Sequence, residues 1–153
     1  MGRMYSAIFQ ATSVGTAAQD LLTLTGAANV VGYIHKIVVT QSSDLGDAQE
    51  EGVRITLLMG ATAGSGGTAL TEQSLQDGQP AADFAAIRNN TTQATGGTAI
   101  YEENMNNRIG FYYEPTPETR PLVAGTTSFV VQMNSTLADA MTMSAVIQWE
   151  ELG

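Results

Sequence analysis

Hydrophobic residues recur at every second position along much of this chain, which is the spacing of a β-strand and not of a helix. Near the C-terminal end, Met141, Met143, Ala145, Ile147 and Trp149 alternate with mostly polar residues. Because successive side chains of a strand point to opposite faces, these five residues share one face. We expect that face to form part of a hydrophobic core, where methionine fills irregular gaps.

The same alternation predicts further strands earlier in the chain. They cover residues 5–10, 20–25, 30–41, 53–59, 98–102, 109–114, 122–124 and 129–133. The strand over 30–41 is predicted to place two sets of residues on opposite faces. One set is Val31, Tyr33, His35, Ile37 and Val39, and the other is Ile34 and Val38.

The segments between these strands are rich in glycine, asparagine, threonine and proline, which are turn and loop residues. Helical patterns are sparse and amount to one possible turn each at 17–22 and 81–86. A length of 153 residues fits one domain. The sequence therefore predicts an all-β chain whose residues 1–153 form a single β-sandwich. We expect it to be jelly-roll-like, with about eight short antiparallel strands and long polar loops.

Charge and composition exclude several classes of partner. Fifteen acidic residues against six basic ones give a formal net charge of −9, and the basic residues form no cluster. Because nucleic acids and anionic lipids are bound through Lys and Arg, we expect neither as a partner. No apolar stretch approaches the length of a membrane span, and the first ten residues lack the apolar region of a secretion signal. Charged residues are only 14% of the chain, which suits a neutral, hydrogen-bonding surface covered by other proteins.

Catalytic chemistry has little support in this sequence. The chain has no cysteine, and its one histidine, His35, lies in the middle of a predicted strand. No G-x-S-x-G motif is present to supply a serine nucleophile. We therefore expect a structural or surface role for His35, no enzymatic activity and no cofactor.

An acidic cluster is the one candidate for cation binding. Asp44, Asp47, Glu50 and Glu51 lie in a loop with glycine, and carboxylates are the ligands that Ca²⁺ prefers. The spacing does not match an EF-hand loop, so a solvated acidic loop is the favoured interpretation. We predict no metal site, while a weak cation site in this loop stays open.

Three consecutive aromatic residues, Phe111, Tyr112 and Tyr113, indicate an interface. Consecutive strand residues point to opposite faces, so both faces of this strand carry aromatic rings. One face must then meet another sheet layer or another subunit. We predict that these residues contribute to a homo-oligomer, either a dimer or a trimer.

The chain opens with the segment MGRMYSAIFQA, is rich in Thr, Ala, Gly and Asn, contains no Cys and shows alternation along its whole length. In these features it resembles the capsid decoration (cement) proteins of tailed bacteriophages. This resemblance implies a virion structural protein on the exterior of a phage head, made in the host cytoplasm. Its partner would be the major capsid protein, whose subunit contacts it would stabilise. We expect the termini and the long loops 42–52, 60–67 and 89–97 to contact the partner.

Two other functions fit the same sequence. One is a structural component of a phage tail, neck or fibre. The other is a carbohydrate-binding β-sandwich, in which an exposed Tyr33, Tyr101, Tyr113 or Trp149 would stack on a sugar ring.

Overall fold

Two antiparallel sheets form the described part of the chain, which in this computed structural model is residues 2–43 and 51–152. The front sheet contains β1 (Arg3–Val14), β3 (Val31–Gln41), β6 (Glu72–Ser74), β9 (Phe111–Tyr113), β10 (Leu122–Ala124) and β12 (Met141–Leu152). The back sheet contains β2 (Gln19–Gly26), β4 (Gly52–Ala61), β5 (Thr68–Ala69), β7 (Phe84–Asn90), β8 (Thr98–Asn106) and β11 (Ser128–Met133). The predicted all-β sandwich is confirmed, although the described residues form twelve strands instead of about eight.

Strand pairing is nested, so that early strands pair with late ones. In the front sheet β1 pairs with β12, and one edge of β3 pairs with both β9 and β10. In the back sheet β2 pairs with β11, and β4 pairs with β8. Each sheet therefore joins distant parts of the sequence, and its order depends on contacts that local alternation does not specify.

A single hydrophobic cluster fills the space between the two inner faces. The predicted face of β12 is confirmed, because Met141, Met143, Ala145, Ile147 and Trp149 are all buried in this cluster. The Trp149 ring stacks on Tyr5 of β1, with ring centroids 5.9 Å apart. From the back sheet the cluster receives Leu22, Leu24, Val53, Ile55, Leu57, Phe84, Ala86, Met105, Phe129, Val131 and Met133.

The predicted faces of β3 are wrong because of a β-bulge at His35. Lys36 lies opposite Gln148, whereas Ile34 lies opposite Trp149, so His35 has no residue opposite it. A bulge of this kind adds one residue and shifts the alternation of the strand by one. As a result Ile34 and Ile37 both face the core, and Val38 faces outward.

Neither predicted helical turn is present. Residues 17–22 lead into β2, and residues 81–86 lead into β7, whose Ala85 and Ala86 pair with Thr25 and Leu24. The alanine-rich segment is a strand because β2 supplies its hydrogen-bond partners, which override a weak local preference. Within the described ranges the helical structure is one 3₁₀ turn at Pro117–Thr119, and no helix is long and apolar enough to cross a membrane.

Candidate protein-interaction surface

Four apolar side chains form a row across the outer face of the front sheet. Ile8 of β1 lies opposite Val146 of β12, Val146 lies opposite Val38 of β3, and Val38 lies opposite Tyr112 of β9. Opposite residues of an antiparallel pair share a face, so the four side chains are neighbours. With strands about 4.8 Å apart, this apolar row spans about 15 Å.

The apolar row is open to solvent at both ends. Ile8 is 52% exposed and Tyr112 is 61% exposed, while Val38 and Val146 between them are half-buried. The outward positions of a half-solvated antiparallel sheet are usually polar. A contiguous exposed apolar surface on such a sheet is typical of a protein-interaction site.

Polar groups border the apolar row on both sides. Gln148 and Lys36 lie on one side, and Ser144 and Thr40 lie on the other. Lys36 is the charged member, and its ammonium group lies 3.5 Å from the carboxylate of Glu114. An apolar centre with a polar rim able to form hydrogen bonds is the common composition of protein interfaces.

The His35 bulge is what completes the apolar row. Without it, the alternation that buries Ile34 would also turn Val38 into the core. The bulge turns Val38 outward, between Val146 and Tyr112, at the cost of one unpaired residue in the strand. Bulges often re-aim a side chain in this way next to functional sites.

Part of the outer face of the back sheet is covered by the chain itself. Loops 60–67 and 91–97 lie across it and are joined by backbone hydrogen bonds between Thr62 and Thr95 and between Ser65 and Thr92. Buried Asp20 of β2 anchors loop 91–97, because its carboxylate accepts hydrogen bonds from the Ala94 backbone N–H (2.8 Å) and from the amide of Gln132 in β11 (3.0 Å). This part of the back sheet is therefore covered, in contrast to the apolar row of the front sheet.

Burial raises the pKa of Asp20, which its hydrogen bonds lower in part. Because the pKa of Asp20 is higher in the folded protein than its ordinary value of 3.8, Asp20 stabilises the fold most at pH values below 3.8. This stabilisation is lost as pH rises through the folded-state pKa. We therefore expect wild type to lose stability relative to Asp20→Asn as pH rises above about 4, by at most about 1.4 kcal/mol per pH unit. Urea denaturation at a series of pH values measures this difference.

Glu102→Gln supplies the control for that experiment. The Arg54 guanidinium, 2.7 Å from the Glu102 carboxylate, lowers the pKa of Glu102. We expect wild type to be more stable than Glu102→Gln at neutral pH and to lose this advantage as pH falls. The stability difference therefore changes with pH in the opposite direction from that of Asp20→Asn. Equal trends for both variants would contradict the role assigned to Asp20.

The three predicted interface residues are in different environments. Phe111 lies opposite Val39 and is fully buried in the core, so its side chain has no surface to offer a partner. Tyr113 faces inward and packs against Tyr101, with ring centroids 5.1 Å apart. Tyr112 is the outward-facing ring and belongs to the apolar row. The role of Tyr112 in an interface remains a prediction. The sequence analysis did not identify Ile8, Val38 and Val146, which lie in the same row.

The sequence-based candidates for chemistry do not come together. The His35 imidazole lies 3.1 Å from the Glu150 carboxylate. The pair Gln148 and Lys36 separates them from the apolar row. Asp44, Asp47 and Glu50 lie outside the described residues, while the Glu51 carboxylate accepts a hydrogen bond from the Ala138 backbone N–H. Among the described residues no group of three or more His, Cys, Asp or Glu side chains is placed to hold a metal ion.

Of the four aromatic residues considered for sugar stacking, the structure brings two together, Tyr101 and Tyr113. Trp149 is fully buried in the core, as the alternation of β12 predicts, so it is not available to a sugar. Tyr33 is half-buried on the front sheet, whereas Tyr101 and Tyr113 line one side of a shallow groove of about 410 Å³ with Tyr112. That groove is the part of the described surface where aromatic rings gather.

Comparison with known proteins adds no identification. No family model matches the chain, and neither the curated proteins nor the solved structures give a significant match.

Proposed function

We propose that this protein is a capsid decoration protein that binds the outer surface of a phage head through the apolar row of its front sheet. The observation that carries the proposal is the row itself: four apolar side chains in register on an outward sheet face, bordered by polar groups. Such a face suits a permanent contact with a neighbouring protein. The net charge of −9 fits a position on the exterior of the shell, away from packaged DNA.

The strand connectivity is of a type that is common in viral capsid proteins. The strands pair as in a long hairpin that is rolled into a sandwich. The nested pairs are β1 with β12, β2 with β11, β3 with β9 and β10, and β4 with β8. We infer a jelly roll from this pattern, with β5, β6 and β7 as additions at the sheet edges. Jelly rolls are frequent in viral capsid proteins and in lectins.

Attachment through several subunits would give the strength that a cement function needs. We expect a dimer or trimer in which each subunit presents its own front sheet to a major capsid protein. Linked contacts gain effective concentration, so weak individual contacts add up to tight binding. Static light scattering of the purified protein measures the oligomeric state.

The direct test is binding to the heads of the phage that encodes the protein. Purified protein is mixed with heads that lack it, and the heads are pelleted. We expect saturable binding with a fixed number of copies per head, together with a higher temperature of head disruption. Protein that stays in the supernatant at all concentrations would contradict the proposal, and binding to isolated tails would favour the tail, neck or fibre alternative.

The aromatic groove favours carbohydrate binding as a second candidate function. Tyr101, Tyr112 and Tyr113 line it together with Glu114, and tyrosine rings with nearby polar groups suit a sugar. A glycan array probed with the purified protein tests this function. Binding that is lost in Tyr101→Ala and kept in Ile8→Glu would favour it over head attachment.

A further inference from the structure

A second groove lies on the side of the sandwich where the edges of the two sheets meet. It has a volume of about 550 Å³ and lies between β8 of the back sheet and the segment that leads into β10 of the front sheet. Its walls are largely apolar and include Met59, Ile100, Pro121 and Leu122. Ile100 and Leu122 are 36% and 45% exposed, so the groove presents aliphatic surface to solvent.

Arg120 also lines this groove, and it has no partner among the described residues. Its Nε atom is buried without a hydrogen-bond acceptor, and no carboxylate within the described ranges forms an ion pair with it. By contrast, Arg3 and Arg54 each lie against a carboxylate. Leaving a partly buried guanidinium unpaired costs free energy, so Arg120 is suited to an anionic group supplied from outside.

The free edge of β8 borders the same groove. This nine-residue strand pairs with β4 on one side, and it is the last strand of the back sheet on the other. Residues 98–104 are all exposed. The strand contains neither the lysine nor the proline that commonly protects an edge, and its Glu102 is already paired with Arg54. Its pairing with β4 is interrupted by one β-bulge, at Ile100, so the regular part of the edge is residues 101–104. Its unpaired backbone groups are free to hydrogen-bond another strand.

We propose that this groove and the β8 edge together bind an extended acidic segment of another protein chain. The segment pairs with β8 through its backbone, places an aliphatic side chain between Ile100 and Leu122, and sets a carboxylate on Arg120. An extended peptide fits better than a small acid because β8 offers a row of backbone groups beside the charge. Addition of a strand to a sheet edge is a common mode of peptide recognition.

Synthetic peptides test the proposal with the intact protein. The probe is a capped eight-residue peptide of alternating Thr and Val with a central Leu and, two positions later, a Glu, so that both side chains share a face. Matched peptides carry Gln for Glu or Ser for Leu. In a ¹⁵N NMR titration, we expect the Leu/Glu peptide to shift resonances in residues 98–104 and 119–122, and both matched peptides to bind at least about tenfold more weakly.

Variants of two unpaired arginines complete the test. Arg120→Gln is expected to lower the affinity for the Leu/Glu peptide at least about tenfold with an unchanged melting temperature. Arg88→Gln is the control, because Arg88 lines a different groove beside Ile8 and Gln73 and also lacks an ion pair among the described residues. It should bind like wild type.

Three results would overturn the proposal: no shifts at millimolar peptide, equal binding of the Glu and Gln peptides, or equal losses in both arginine variants. Glucuronic acid that produces the same shifts by itself would also overturn it, in favour of a small acidic ligand. The inference goes beyond head attachment and uses a different surface. Because the peptide assay contains no heads, its failure leaves the head-binding result unaffected, and the reverse is equally true.

Discussion

Replacement of Glu151 by alanine is expected to lower the free energy of unfolding by about 3–5 kcal/mol. Glu151 is fully buried at the end of β12. Its carboxylate accepts hydrogen bonds from Trp149 Nε1 (3.1 Å), from the backbone N–H groups of Asp83 and Phe84 (3.0 Å each) and from Arg3 Nη2 (3.1 Å). Alanine would leave the indole N–H and the two backbone N–H groups without this acceptor, and each buried donor left unsatisfied costs about 1–3 kcal/mol. The Arg3 guanidinium would keep its contact with the Asp83 carboxylate.

The neighbouring carboxylate supplies the control. Glu150 points to the outer face, where it bonds His35 and the Gly2 backbone N–H, and its side chain is partly exposed. Glu150→Ala is therefore expected to cost less than about 1 kcal/mol. Urea denaturation followed by tryptophan fluorescence measures both variants, since Trp149 is the one tryptophan of the chain. A Glu151→Ala variant within about 1 kcal/mol of wild type would contradict the anchoring role of this carboxylate.

Replacement of Ile8 by glutamate is expected to weaken head binding more than about a hundredfold. Under the proposed function Ile8 is covered by a capsid subunit, and an unpaired carboxylate in that contact costs about 3 kcal/mol or more. Ile8 faces away from the core at 52% exposure, so the same change should leave the free energy of unfolding within about 1 kcal/mol of wild type. Pelleting with heads measures the binding, and urea denaturation measures the stability.

Ile109→Glu is the matched control for this variant. Ile109 is 72% exposed in the turn before β9 and lies outside the apolar row. It receives the same change of side chain and charge, and it should bind heads like wild type. Equal losses for Ile8→Glu and Ile109→Glu would indicate a general effect of added negative charge and would contradict docking through the row.

Alternation predicts the positions of the longer strands because each has one face in the core. Val53, Ile55 and Leu57 of β4 are buried as the pattern indicates, and the whole inner face of β12 agrees. Alternation does not predict which residues face the core after a bulge. A single extra residue such as His35 exchanges the two faces of the strand, and no residue pattern in the sequence identifies the bulge. It also misses β7, whose alanines have little strand preference and depend on pairing with β2.

The candidate surface was less accessible to sequence reasoning than the fold. Ile8, Val146, Val38 and Tyr112 come from four strands that are far apart in the sequence, and only the sheet order and register place them in line. The aromatic triplet 111–113 indicated that one ring would face outward, and Tyr112 does so. Ile8 and Val146 are recognisable in the sequence as apolar residues at outward positions of otherwise alternating strands.

Photo-crosslinking from the apolar row tests docking of the front sheet most directly. p-Benzoylphenylalanine is placed at position 8 in one variant and at position 109 in another, and each variant is irradiated after it has bound to heads. We predict a crosslink to the major capsid protein from position 8 and none from position 109. Crosslinks from position 109 with none from position 8 would contradict the account, because a different surface would then face the shell.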